Sequence, residues 1–416
     1  MMTWIKIGVR NLYRNKRRSL FTIGAIALGL AAVNVFGGFT RYMYTNLRDS
    51  FIYVQGNGHL TVFKEGFLTE GKLDPLKYLL TETETKTIQD LCAKDPRILV
   101  VTPQLRITGM ISNGAVSTIF IAMGRVPSDA IFIRKRATGL IEEVKLFSGK
   151  ELEDEIIYGV GLSKGLAKKL GLGLDSGAIV MSPTVDGFVN ALDIEVFQLF
   201  DASIEALDDK LMIVPLKFAQ SLYDTNSADR LTILLNDGSR TEAMRTFLEE
   251  ALRQKGLKVE IKTWRELSSF YRKTKDMFDV IFIFIFIIVF VIVVMSVINT
   301  ISMAVMERTN EIGTLRAIGL KRRGIVRLFA IESGLLAIIG SGVGVGLTLL
   351  SWVGIQILRP TWTPPHISTE IPLEIYLAPD YMIVSLLFLF LLSLAAATFP
   401  AKKAASMNIV DALGHV

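Results

Sequence analysis

Side chains able to do covalent or metal chemistry are few and scattered along this chain. Cys92 is the sole cysteine, so the chain can build neither an internal disulfide framework nor a thiolate metal cluster, and a small core role suits it best. His59, His366 and His415 stand far apart without HExxH or paired spacing, which argues against zinc. No G-x-x-x-x-G-K-S/T run occurs, and Gly159, Gly161 and Gly165 with Lys164 have the wrong spacing to cradle a phosphate. By this reading the chain cannot be its own ATP-driven motor. No nucleophile elbow, zinc motif or distinctive carboxylate pair stands between residues 46 and 275. What remains is a short stretch in which Glu311 and Arg316 mix with Ile312 and Leu315. With both apolar side chains exposed, such a helix offers an apolar anchor inside a charged rim, which suits protein docking rather than bond making.

The elements that would position this stretch are membrane spans. Half of the 416 residues are apolar, yet a fifth are charged, a mixture that calls for both a membrane part and a water-exposed part. A bilayer crossing needs about 20 largely apolar residues. Uncharged runs of that length extend from Ser19 to Thr40, Val280 to Met306, Ser333 to Leu358 and Tyr381 to Ala401. The net charge of +6 gathers beside these runs rather than along one soluble face, so it reports topology and does not point to nucleic acid. Lys6, Arg10, Arg14, Lys16, Arg17 and Arg18 precede the first run with no acid among them. Six further cations, from Arg308 to Arg327, follow the second against only Glu307 and Glu311. The positive-inside rule then predicts cytoplasmic N- and C-termini. The first apolar run is too long for a signal peptide, so a retained helix is expected.

The expected division follows from these runs. A cytoplasmic amphipathic segment covers 1–18, and spans cover 19–45, 276–306, 328–358 and 380–402. An extracytoplasmic α+β domain with a helical stalk fills 46–275, inserted between the first and second spans. A coupling segment takes 307–327, an outer loop 359–379 and a cytoplasmic tail 403–416. Within the inserted domain, strands are predicted near 59–64, 116–123, 178–182, 211–214, 231–235 and 258–262. Helices are predicted at 81–94, 161–170, 216–224 and 240–255, in a domain of two lobes. Trp264, Leu267, Phe270, Tyr271, Thr274 and Phe278 follow a helical period straight into the second span, while Gly56, Asn57 and Gly58 end the helix that carries the first.

Two patterns inside the spans bear on packing. Gly340 with Gly344, and Gly342 with Gly346, make small helix faces that permit close approach of a neighbour. Phe278, Phe282, Phe286 and Phe290 recur at four-residue spacing and share one helix face, a candidate lining for a lipid-binding groove.

The segment from Asn299 to Gly319 closely resembles the signature of the FtsX-like permeases of ABC transporters, a family that includes lipoprotein-release and MacB-like macrolide-export permeases. The matching positions are Glu307, Arg308, Glu311, Ile312, Gly313, Leu315, Arg316, Ala317 and Gly319. Residues 11–22 are like the family's opening segment and residues 400–405 its closing one. Residues 58–63, 159–172 and 209–220 look more like the lipoprotein-release branch, whereas the loop bearing Pro360, Pro364 and Pro365 departs from it. The resemblance implies that the signature forms a cytoplasmic coupling helix docking into a separate dimeric ATPase, which alone would hold ATP and magnesium; no cofactor would bind this chain directly. It further implies a second permease subunit, identical or homologous, in the bacterial inner membrane. The work would be mechanical transfer of lipoprotein or lipid-like cargo taken from membrane lipid, with a periplasmic carrier or adaptor. The rival expectations are a peptide or drug exporter with an adaptor, and an FtsX-like transducer that activates a cell-wall hydrolase.

Overall fold

The computed structural model describes residues 2–71, 74–137, 147–202, 205–362 and 370–413. Pro364, Pro365, His366 and His415 lie outside the described residues. In chain order come α1 (Met2–Arg14), α2 (Lys16–Asp49), β1 (Leu60–Lys64), α3 (Glu82–Cys92), β2 (Ile98–Ser112), β3 (Ser117–Arg125) and β4 (Phe147–Gly149). There follow β5 (Gly159–Ser163), α4 (Lys164–Leu170), β6 (Gly177–Pro183), β7 (Val189–Phe200), β8 (Leu211–Pro215), α5 (Leu216–Tyr223), β9 (Arg230–Leu235), α6 (Thr241–Gln254) and β10 (Val259–Thr263). The chain then runs through α7 (Ser269–Glu307), α8 (Thr309–Ala317), α9 (Arg322–Leu358), α10 (Pro379–Ser406) and α11 (Ile409–Leu413).

Two units divide the chain, one of residues 1–44, 274–360 and 373–416, the other of 45–273 and 361–372. The division falls inside α2 and inside α7, so both helices contribute to both units. Among the described residues four helices are long and apolar enough to cross a membrane, those over 16–54, 269–307, 322–358 and 379–406, and most of each belongs to the helical unit. Its core joins Ile26 and Leu30 of α2, Val293, Val297 and Ile301 of α7, and Phe329 of α9. The glycines of α9 divide by face. A Cβ on Gly340 would lie 2.9 Å from Ile26, and one on Gly344 2.9 Å from the Ala27 carbonyl, so only glycine admits α2 at this distance. Gly342 and Gly346 meet nothing. Several buried polar groups in the unit are paired: Thr22 with Thr300 at 2.5 Å, Ser385 donating to Asn34 at 2.8 Å, and Ser333 donating to the Ser393 carbonyl at 2.8 Å.

The α/β unit is a ten-stranded mixed sheet. Six of its strands, β2, β3, β8, β5, β7 and β6, pair in sequence and return to β2, so the ring has no free edge. Alternation along β3 turns Phe120 and Ala122 inward and Ile119 outward. Helix α5 packs on the ring through Leu216, Ala219 and Leu222, and Gly124 of β3 allows the approach, since a Cβ there would sit 2.4 Å from that of Ala219. A second core lies where β10, β1 and β9 meet α3 and α6, around Ile88, Leu231 and Leu248. The two cores share one long strand: β2 pairs with β9 over 98–104 and with β3 over 104–112.

Three readings of the sequence change. The helix expected over 161–170 begins only at Lys164, because residues 159–163 form the wholly buried strand β5 between β7 and β8. A short apolar run buried on both faces carries no period to separate strand from helix. The strands β2, β4 and β7 lie outside the strands expected from the sequence. The helical period from Trp264 to Phe278 is interrupted: residues 264–267 form one turn with a Thr263–Glu266 capping box, and Ser268 at ψ 84 breaks it before α7. The first helix continues through a π turn at Ser50–Val54 and stops at the glycine pair, Gly56 and Gly58, both at positive φ.

Candidate functional site

Helix α8 is delimited by backbone chemistry at both ends. Arg308, at φ −116, breaks the run from α7, and Thr309 returns its hydroxyl to the Val305 carbonyl at 3.0 Å. At the other end the Leu320 N–H reaches the Leu315 carbonyl and the Gly319 N–H that of Arg316, both at 3.0 Å, with Gly319 at φ 103. This is a Schellman closure, and it requires a residue tolerant of left-handed backbone where the sequence has glycine.

Three side chains fasten α8 and its flanks within the helical unit. Arg308 donates to Glu332 of α9 at 3.2 Å, and both side chains are about 95 % withdrawn from solvent, with 4 % and 5 % exposed. Ile312 is 3 % exposed and joins the helical core with Val305, Ile325 and Phe329. Arg316 donates to the carbonyl of Met407, just past α10. Towards the amino end, Glu307 accepts from Arg18 at 2.6 Å and from Asn15 at 2.8 Å, while Glu311 pairs loosely with Arg14 at 3.4 Å in an exposed position.

The anchor therefore differs from the one expected. Ile312, taken with Leu315 as an exposed apolar contact, points inward with Gly313, because positions 309, 312, 313 and 316 form one helix face against the core. The free face carries Glu311, Leu315 and Ile318, at steps of four and three; Leu315 is 41 % and Ile318 80 % exposed. Ile318 was missed because the signature leaves its position open.

The phenylalanine stripe is also spent differently. Phe282 stacks on Phe36 at 6.2 Å, Phe278 meets Phe39 edge-on at 5.8 Å, and Phe286 lies 5.0 Å from Phe388 of α10. These three half-buried rings make contacts between helices of the same unit, while Phe290 is exposed. Other exposed apolar residues on α7 include Phe284, Ile287, Val291 and Met295.

The α/β unit offers a second candidate surface. Cross-strand registers place Ile119 opposite Met110 and Met110 opposite Met181, on the outward face of the ring that also carries Ile179 and Val189. Val189 and its neighbour Phe188, at the β6–β7 turn, are 78 % and 74 % exposed, an apolar display that water does not favour. Burial pushes the His59 imidazole down to about 4 and the Cys92 thiol up to about 12. His59 accepts the Leu235 N–H through Nδ1 at 3.1 Å, a structural role. Among the described residues no group of His, Cys, Asp or Glu is placed to hold a metal ion.

Residues 19–251 match the MacB-like periplasmic core domain family, and residues 283–409 the FtsX-like permease C-terminal family. The chain is 25 % identical to the lipoprotein-releasing system transmembrane protein LolC of Xylella fastidiosa over 99 % of its own length and 98 % of that protein. It is 29 % identical to the macrolide export ATP-binding/permease protein MacB of Escherichia coli, over 29 % of this chain and 17 % of that one. Among solved structures, the periplasmic region of MacB from Actinobacillus actinomycetemcomitans aligns over 53 % of this chain and 95 % of its own, at 15 % identity and TM-score 0.38.

Proposed function

Because this chain belongs to the family of ABC-transporter permeases with a MacB-like periplasmic core domain and an FtsX-like C-terminal region, we propose that it couples ATP hydrolysis by a separate ATPase dimer to transfer of a lipophilic cargo. The observation that carries this reading is the outward face of α8, with Leu315 and Ile318 uncovered beside Glu311 and the opposite face fastened to the core. An apolar patch held rigidly on charged surroundings is what a docking partner can grip. ATP and magnesium belong to that partner, and this chain transmits movement. The charge distribution supports a topology with α8 and both termini in the cytoplasm of the bacterial cell and the α/β unit on the other side of the inner membrane.

Cargo is assigned as lipoprotein or another lipid-like molecule, with a second permease subunit and a soluble carrier. The full-length similarity to a lipoprotein-releasing protein supports this, as does the uncovered apolar face of Met110, Ile119, Ile179 and Val189.

The test is reconstitution of the permease with its ATPase. The permease alone should hydrolyse no ATP, and Leu315→Asp should abolish ATPase co-purification while leaving membrane insertion intact. Full ATPase binding by that variant would remove the coupling role from α8.

A further inference from the structure

At the start of α2 the helical unit contains a cavity of about 700 Å³ that neither the docking face nor the cargo surface uses. One wall is the α1–α2 junction with Arg14, Lys16, Arg17 and Arg18; the other is α7 with Ser296 and Asn299. Two of these cations are already engaged, Arg18 with Glu307 at 2.6 Å and Arg14 with Glu311 at 3.4 Å. Lys16 and Arg17 are exposed and have no carboxylate partner among the described residues. The cavity thus keeps an excess of two positive charges, with amide and hydroxyl groups opposite them.

Its position selects the kind of anion. The uncharged run of α2 begins at Ser19, so the cations stand where the helix passes from water into the apolar layer. Phe21 lines the same cavity and is 80 % exposed, and Leu20 beside it is 70 % exposed. The floor is neutral, since Thr22 and Thr300 satisfy each other at 2.5 Å. A soluble anion would use the cations and waste the apolar wall. An anionic phospholipid uses both: its phosphodiester meets Lys16 and Arg17, and an acyl chain lies along Leu20 and Phe21.

We propose that this cavity is a binding site for the headgroup of an anionic glycerophospholipid of the cytoplasmic leaflet. It rests on the membrane-spanning reading of α2 and α7, and on no assignment of cargo. The bound phosphodiester competes with Glu307 and Glu311 for Arg18 and Arg14, so occupancy of the site bears directly on the segment that leads into α8.

The experiment is native mass spectrometry of the full chain in detergent, titrated with phosphatidylglycerol or phosphatidylcholine. The parent should retain phosphatidylglycerol in preference. Lys16→Ala with Arg17→Ala should weaken that retention about thirtyfold, the loss expected for two cations at a lipid surface, and leave phosphatidylcholine unaffected. Asn299→Phe, which narrows the cavity from its α7 wall and keeps every charge, should also weaken the preference, so the result does not depend on one variant folding. Retention equal to the parent in both variants would overturn the site. Displacement of the lipid by inorganic phosphate alone would show a pocket for free anions and overturn the lipid assignment. Unchanged lipid retention with loss of ATPase co-purification in the double alanine variant would reassign these cations to the motor.

Discussion

Truncation of Ile318 should weaken ATPase docking more than truncation of Leu315, and truncation of Ile312 should not weaken it directly at all. Full burial of a Leu or Ile side chain is worth about 1.5 to 3 kcal/mol. Ile318 has 80 % of its surface still to bury and Leu315 only 41 %. A partner covering the face therefore gains about 2 kcal/mol from the first and about 1 kcal/mol from the second, of which alanine retains a part. Ile318→Ala should raise the dissociation constant about tenfold and Leu315→Ala about threefold. Ile312, at 3 % exposed, has nothing left to give a partner. Ile312→Ala should instead cost about 2 kcal/mol or more of stability, as a cavity in a packed core does. The assay is equilibrium binding of purified ATPase to the permease in lipid nanodiscs, with a thermal melt of each variant alongside. If Ile312→Ala weakened binding most while melting like the parent, the face assignment of α8 would be wrong.

The remaining predictions concern stability and are each read from melts of the intact chain. Gly340→Ala and Gly344→Ala should each cost about 1 to 3 kcal/mol, because the new methyl meets Ile26 or the Ala27 carbonyl at 2.9 Å, while Gly342→Ala and Gly346→Ala should lie within about 0.5 kcal/mol of the parent. Equal melts for all four would refute the packed face. Glu332→Gln should be strongly destabilising, by about 3 kcal/mol or more, since it strands the buried Arg308 guanidinium; Arg308→Leu with Glu332→Leu should recover much of the loss, and a double variant worse than the single would contradict this. His59 is held neutral in the folded chain, its value depressed to about 4 by burial first and by Arg48 second. The unfolded chain takes up a proton near the usual 6.5, so stability present above that pH falls as pH drops from about 6.5 to about 4, by roughly 2 to 3 kcal/mol. His59→Gln should flatten that slope, and an unchanged slope would remove His59 as its source.

What could be read along the chain is what local free energy fixes. Some 20 uncharged residues in a row prefer lipid whatever surrounds them, so the four long helices were legible at once. So was the missing phosphate loop, and so was the stretch from Glu307 to Gly319, whose terminal glycine the Schellman turn requires. The Gly340–Gly344 face announced close packing as well, but not that α2 would occupy it while Gly342 and Gly346 stayed open. Tertiary structure decided which side of each helix is used. Ile312 and Ile318 are the same residue type six positions apart on one short segment, and only the neighbours Ile325 and Phe329 make the first core and leave the second surface. The phenylalanine stripe has a helical period under either reading, and only the folded chain brings Phe36, Phe39 and Phe388 from other helices against it. The strand β5 gave no period because both its faces are buried, and ring closure through β6 depends on pairing residues about 70 apart in sequence, such as Ile111 with Val180. Periodicity records that a face exists; what covers it is set by non-local contacts, and those form only when the whole chain has folded.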